Sequence, residues 1–273
     1  MSNNAVMNRY YDDSDTPRPE AYKEDVHIAK ESGRAAKEVY RDLKAAAESG
    51  WDFSTRWFAD GKNLATIETT NIIPIDLNSL MFNLEMILAK AYLVDQNKVE
   101  VDKFTRLAMR RQDAMERYCW SMEKSFYFDY NWVNKKPTSI ISMAGMYPFY
   151  FRSASPMRME AAHPVLQTEL LRAGGFVSTK VKSGQQWDAP NGWAPLQWIG
   201  IKGLRNYDQH TLADEVSGRW LALNRKVYKN TGKMVEKYNV EDLSLEAGGG
   251  EYPVQDGFGW SNGVAKALIK DEK

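Results

Sequence analysis

The sequence predicts an all-α protein built from helical hairpins, and three observations carry that prediction. Several segments repeat apolar residues at steps of three and four, the stripe an amphipathic helix needs. Period-2 alternation of the kind a half-buried strand shows is scarce. The helical segments are joined by loops rich in Gly, Pro and Trp, the layout of helices packed as hairpins.

In chain order, Ala36, Val39, Tyr40, Leu43 and Ala47 fall on one face of a helix that stops at Gly50. Leu77, Leu80, Met81, Leu84, Ile87, Leu88 and Ala91 mark a second helix, with Asp76 placed as its N-cap. Phe104, Leu107, Ala108, Met115 and Tyr118 mark a third, on whose stripe Arg111 is a blemish. Shorter helices are expected from Pro164 to Ala173 and from Ala194 to Asn206. Leu212, Val216, Trp220, Leu223 and Val227 make another long one, stopped by the Asn230-Thr231-Gly232 turn. A single short strand is expected between Tyr127 and Trp132.

The 273 residues are read as one domain, with 43% apolar and 26% charged residues, a balance that supports a sizeable core. Lys+Arg and Asp+Glu stand at 36 each, so no global field favours nucleic acid or an anionic membrane. The lone cysteine, Cys119, excludes an internal disulfide framework and reads as a small buried hydrophobe at a helix end. Met1 to Arg9 lacks the apolar stretch of a secretory signal, and the run from Ile140 to Phe151 is too short to span a bilayer. A cytoplasmic protein is therefore expected from the chain as written.

The loops hold the unusual chemistry. Five of the nine tryptophans, Trp51, Trp57, Trp187, Trp193 and Trp260, lie in three loop segments beside carboxylates, amides and glycines. Trp in a polar loop can form a platform for the C–H face of a sugar, whose hydroxyls then meet Asp, Asn, Gln and Arg. Glycoside hydrolysis needs two carboxyl groups, and the loops supply Glu20, Asp52, Asp188, Glu251 and Asp256. Each also has a plainer reading: Asp52 could cap a turn or pair with Arg56, Asp188 could fix its own turn, and Glu251 could be a solvated loop residue. Residue types alone leave open which two would do the work.

Other chemistries fit less well. His27, His163 and His210 are far apart and lack metal-ligand spacing. The acidic run Asp12, Asp13, Asp15 has Arg18 where a calcium loop starting at Asp13 needs Gly, so these acids are expected to pair with Arg9 and Arg18 or face water. Gly257 to Gly263 is glycine-rich but has no preceding strand, which argues against a dinucleotide site.

Four segments are similar to motifs of the trehalases of glycoside hydrolase family 37, in the family's order. Gln186-Trp187-Asp188-Ala189-Pro190-Asn191-Gly192-Trp193-Ala194-Pro195 resembles its second signature. Gly248 to Gly263, with Glu251-Tyr252-Pro253 and Gln255-Asp256-Gly257-Phe258-Gly259-Trp260, resembles its C-terminal catalytic segment. Arg9 to Asp13 with Thr16 to Glu20 resembles a substrate-binding segment, and Tyr40 to Leu43 with Ser49 to Ser54 the segment that carries the acid. The resemblance implies an (α/α)6 toroid with a glucose-sized pocket, no metal and no organic cofactor. It implies hydrolysis of α,α-trehalose to two glucoses with inversion, Asp52 as general acid and Glu251 as general base. Arg18, Pro19, Glu20 and the Gly50 backbone match its substrate-contacting stretches, while Trp187, Asp188 and Trp260 would line or support the pocket.

One departure accompanies the resemblance. The family's N-terminal signature, rich in Pro-Gly-Gly-Arg, has no counterpart here, so the toroid is expected to be incomplete and its uncovered faces prone to self-association. A weakly active chain is expected, and a signal carried on the absent half would make the parent enzyme periplasmic. The alternatives are an incompetent fragment that needs a complementing chain, and another (α/α)6 α-glucosidase with a different small sugar as substrate.

Overall fold

The computed structural model describes residues 5–245 and 253–271. Its α-helices in chain order are α1 Tyr22–Ser32, α2 Ala36–Glu48, α3 Ile75–Val94, α4 Lys98–Cys119, α5 Tyr147–Tyr150, α6 Pro156–Val165, α7 Ala194–Arg205, α8 His210–Thr231 and α9 Gly259–Asp271. Short strands tie the loops between them: β1 Ile72–Ile73, β2 Trp120–Ser121, β3 Phe126–Tyr127, β4 Tyr130–Asn131, β5 Lys136–Pro137, β6 Leu171–Arg172, β7 Gly175–Phe176, β8 Asn191–Trp193 and β9 Lys237–Asn239. All pair antiparallel, as β1-β4-β5, β2-β3, β6-β7 and β8-β9. The fold is mostly helical, as the apolar stripes predict.

Helical hairpins form the frame. Gly33, at φ 65°, turns α1 into α2, and the α3–α4 hairpin turns through Gln96 at φ 57°. The Arg111 blemish has a partner across that hairpin: its guanidinium meets Glu85 of α3 at 2.8 Å and donates to Asn78 at 2.8 Å. Asp76 is not the cap of α3. Pro74 holds that position, and Asp76 sits in the first turn with its carboxylate engaged by Arg56. Gly232 at φ 73° ends α8 as the Asn-Thr-Gly turn predicts.

Three expectations shift. The helix foreseen from Pro164 to Ala173 begins eight residues earlier, because Ser155 caps it and Pro156 takes its first position. It unwinds through a π-helical turn at Leu166–Leu170 into β6, which pairs with β7. The strand foreseen from Tyr127 to Trp132 is split between β3 and β4, each in a different sheet. Helices α1 and α9 are not foreseen, and α9 fully buries only Ser261, Ala265 and Leu268, with Trp260 and Val264 half-buried against the core.

The core runs through Trp57, Phe126, Phe149, Phe176, Trp193, Trp220 and Tyr238, all essentially shut from water. Cys119 lies in it at 0% exposure, and burial, then Asp129, pushes its thiol well above the usual range, so it behaves as an inert hydrophobe. At Gly192 a Cβ would come within 2.7 Å of the Phe176 carbonyl oxygen and 2.5 Å of Val240 Cγ1. That close approach lets β8 lie flat on the core and brings the 186–193 loop against the end of α2.

Candidate active site

The site begins where α2 stops. Gly50 at φ 75° takes the left-handed turn that ends the helix, and its amide bonds back to the Ala47 carbonyl at 3.0 Å. Trp51 and Asp52 follow, with Asp52 half-buried and its peptide bond to Phe53 cis. Ser54 then caps the short turn Thr55–Trp57 by accepting from the Arg56 amide at 3.2 Å. Asp52 is therefore not the cap.

The 186–193 loop grips this turn. Gln186 Nε2 donates to the Asp52 carbonyl, and the Trp187 amide donates to the Phe53 carbonyl at 3.1 Å. Asp188, at 0% exposure, accepts from Ser54 Oγ at 2.8 Å, the Thr55 amide at 2.9 Å and Thr55 Oγ1 at 3.1 Å. Thr179 Oγ1 at 2.7 Å and Ser183 Oγ complete its set of donors. A carboxylate so enclosed holds two loops together; it has no free face for a sugar. Tryptophans stack on the same seam. Trp187 lies between Trp51, 5.1 Å away, and Trp193, stacked on it 3.8 Å away and nearly parallel, and Trp260 meets Trp193 edge-on at 5.7 Å.

Beneath the turn, Arg56 is buried between two acids. Its Nη1 and Nη2 each donate to Asp76 at 2.7 Å, and Nη2 also reaches Asp129 at 2.8 Å. It also lies over the rings of Trp51 and Trp57 at 4.8 and 4.4 Å. Burial opposes its charge, but Asp129 and Asp76 outweigh burial and hold its pKa well above the usual value. Burial, then Asp76, raises the hydroxyl pKa of the neighbouring Tyr10 and Tyr147, so both stay neutral. Arg18, 5% exposed, is clamped by Asp25 at 2.7 Å and lies 4.9 Å over the Phe53 ring. Asp25 thus holds it, while in the acidic run Asp15 meets Lys37 at 3.3 Å and Asp13 is exposed.

The trehalase family model matches residues 1–272. This chain belongs to the trehalase family. It is 46% identical over 270 residues to the periplasmic trehalase of Salmonella newport (strain SL254), covering 98% of this chain and 47% of that protein. The putative periplasmic trehalase of Salmonella typhi matches with the same identity and coverage. The chain thus spans about half the length of the curated relatives it matches. Among solved structures, the neutral trehalase of Saccharomyces cerevisiae superposes with a TM-score of 0.79 at 24% identity, over 99% of this chain and 53% of that one. A GH63 mannosylglycerate hydrolase from Thermus thermophilus superposes at 0.59 and 17% identity, over 99% and 58%. Both show the likeness of the fold.

For this trehalase-family chain the fold brings Arg18, Gly50, Asp52, Trp187, Asp188 and Trp260 onto one seam. Pro19 and Glu20 follow Arg18 in an exposed turn at Pro19–Ala21. Glu251 lies outside the described residues. Of the other loop carboxylates, Asp188 is enclosed and Asp256 is exposed and ion-paired with Lys233. Sequence reasoning missed Gln186, Arg56, Glu236 and Lys237. Gln186 stands inside a quoted motif and is identifiable there; Arg56 and Lys237 act through partners distant in sequence, and Glu236 acts through Lys237. Among the described residues no His/Cys/Asp/Glu cluster is arranged to hold a metal ion, and no helix is long and apolar enough to cross a membrane.

Proposed function

We propose that this chain carries the two catalytic carboxyl groups of an inverting α,α-trehalase, with Asp52 as general acid and Glu251 as general base. The carrying observation is the setting of Asp52. It is half-buried beside the tryptophan stack, and the main chain that leaves it is held at its own carbonyl by Gln186 and at the Phe53 carbonyl by Trp187. Such a residue is fixed in place and still partly exposed.

The reaction then follows. Glu251 takes a proton from water as that water attacks one anomeric carbon from the face opposite the glycosidic bond. The C–O bond breaks as Asp52 delivers its proton to the leaving oxygen, giving one β-glucose and one α-glucose. An inverting pair stands roughly 6.5–9.5 Å apart, which leaves room for the water. The acid role requires a carboxyl group that is still protonated near neutral pH. Arg18, Pro19, Glu20 and the Gly50 backbone would contact the sugar, Trp187 and Trp260 would wall it, and Asp188 would hold the acid loop. The chain is read as a single domain, residues 1–273, forming part of an (α/α)6 toroid. Its relatives named periplasmic trehalases favour the periplasm as the place of action over the cytoplasm.

The test is glucose release from trehalose by purified protein, with anomers followed by NMR. The expected result is slow turnover, β-glucose appearing first alongside α-glucose, and its loss in Asp52→Asn with little change in KM. Turnover that survives Asp52→Asn overturns the assignment. Faster release from maltose or sucrose would instead identify another α-glucosidase. A second reading concerns assembly. Helix α3 leaves Leu80, Leu84 and Ile87 exposed on one face, which favours a partner polypeptide corresponding to the remaining half of the trehalase relatives.

A further inference from the structure

Beside the acid loop, both members of an ion pair are shut away from water. The Lys237 side chain is 0% exposed and that of Glu236 4%, and Lys237 Nζ stands 3.0 Å from Glu236 Oε2. Burying two charges commonly costs more than their attraction returns, so such a pair calls for a reason. The same ammonium donates to Gln186 Oε1 at 3.1 Å, and the other end of that amide, Nε2, donates to the main-chain carbonyl of Asp52.

The chemistry of the three groups permits one arrangement. An ammonium only donates and a peptide carbonyl only accepts, so the Gln186 amide must turn its oxygen to Lys237 and its nitrogen to Asp52. A flip would set N–H against ammonium and oxygen against oxygen. Lys237 is fixed in turn by strand register. It lies opposite Trp193 in the β8–β9 pair, with Nζ 5.4 Å from the Trp193 ring centroid. The Glu236 carbonyl accepts from Trp260 Nε1 at 3.0 Å, which ties α9 to the same line. The line therefore runs Glu236, Lys237, Gln186, Asp52, through segments 51 and 134 residues apart in sequence.

We propose that Lys237 is a positioning residue for the acid. It locks Gln186 and, through it, the main chain that aims the Asp52 carboxyl group. Only the activity arm of the test rests on the reading of Asp52 as general acid.

Lys237→Met combined with Glu236→Gln removes both charges of the pair together. Gln186→Met removes the amide alone. Hydrogen exchange over residues 49–57 is measured in both variants and in the triple variant. Each is expected to exchange at least about tenfold faster there than wild type, the triple no faster than either, because one interaction cannot be lost twice. On trehalose, kcat should fall about tenfold to a hundredfold with KM within about twofold. The alkaline limb of the pH profile should also move, which ordinary loss of packing would not cause. Unchanged exchange and kcat in either variant would overturn the proposal. So would additive effects in the triple, or a rise in exchange spread equally over α3 and α4. If wild type releases no glucose, alone or with the remaining part of a trehalase supplied, while loop exchange behaves as expected, the hydrolytic reading fails and the positioning role of Lys237 stands.

Discussion

At the scale of single residues, the loop that carries Asp52 is held by groups that never meet solvent, and their removal should be costly. Asp188 gathers five donors on two oxygens at 0% exposure. Asp188→Asn keeps the size but offers one carbonyl oxygen to those donors and sets an N–H₂ among the rest. Hydrogen bonds to a charged group are each worth about 1.5–3 kcal/mol, so a loss of about 3 kcal/mol in unfolding free energy is expected by urea titration. Arg56 is the mirror case, one cation serving Asp76 and Asp129. Arg56→Met strands two carboxylates and should cost about 3–5 kcal/mol. Because both residues act on the Ser54–Arg56 turn, the double variant should lose less than the sum. Independent, additive losses would show that the turn is not one unit.

At the scale of elements, small antiparallel pairs fix the loops that helices leave loose. The clearest pH response sits at one of them. Glu241, just beyond β9, meets Arg172 of β6 at 3.2 Å and Lys182 at 2.7 Å. Burial alone would raise its pKa, but the hydrogen bonds from Lys182 and Arg172 outweigh burial and hold it below the ordinary 4.5. A folded value below the unfolded one means this contribution is complete above about pH 4.5 and is lost as pH falls through the folded value. Melting temperature should therefore drop on acidification below that point, and Glu241→Gln should flatten this part of the curve. An identical acid slope in the variant would remove Glu241 from the account. The same elements show what a sequence can disclose. The stripe from Leu77 to Ala91 is a local period and foretells α3, whereas Arg111 looks like a blemish until Glu85 stands opposite it. Pro164 as a helix start is misleading because Ser155 and Pro156 form the stronger signal. Trp51, Asp52 and Trp187 are legible as loop aromatics beside acids. Lys237 is not, since nothing local in Glu236-Lys237-Tyr238 announces a partner 51 residues away.

At the scale of the whole molecule, α3 poses the question of what covers its exposed apolar face. Its inner side carries Ile75, Ser79 and Phe82, and its other side shows Leu80, Leu84 and Ile87 at 44, 46 and 51% exposure, spaced four and three apart. A helix apolar all round belongs between two layers, and a surface helix would carry charge there. Val99, Leu107 and Met109 of α4 are exposed as well. The relatives are about twice as long as this chain, and the polypeptide corresponding to their other part is the occupant we assign to this face. On its own, then, the protein should self-associate through α3 at tens of micromolar, seen by light scattering. Leu84→Lys with Ile87→Glu should return it to monomer while changing unfolding free energy by about 1 kcal/mol or less, since those side chains gain little from burial in the monomer. Supplying the remaining part of a trehalase as a separate chain should dissolve the self-association and raise kcat/KM on trehalose, and the double substitution should block both effects. A monomer at that concentration whose activity ignores the added chain would mean that this face needs no cover. The exposed leucines would then be ordinary surface, and the pocket would have to work with the walls the described fold supplies.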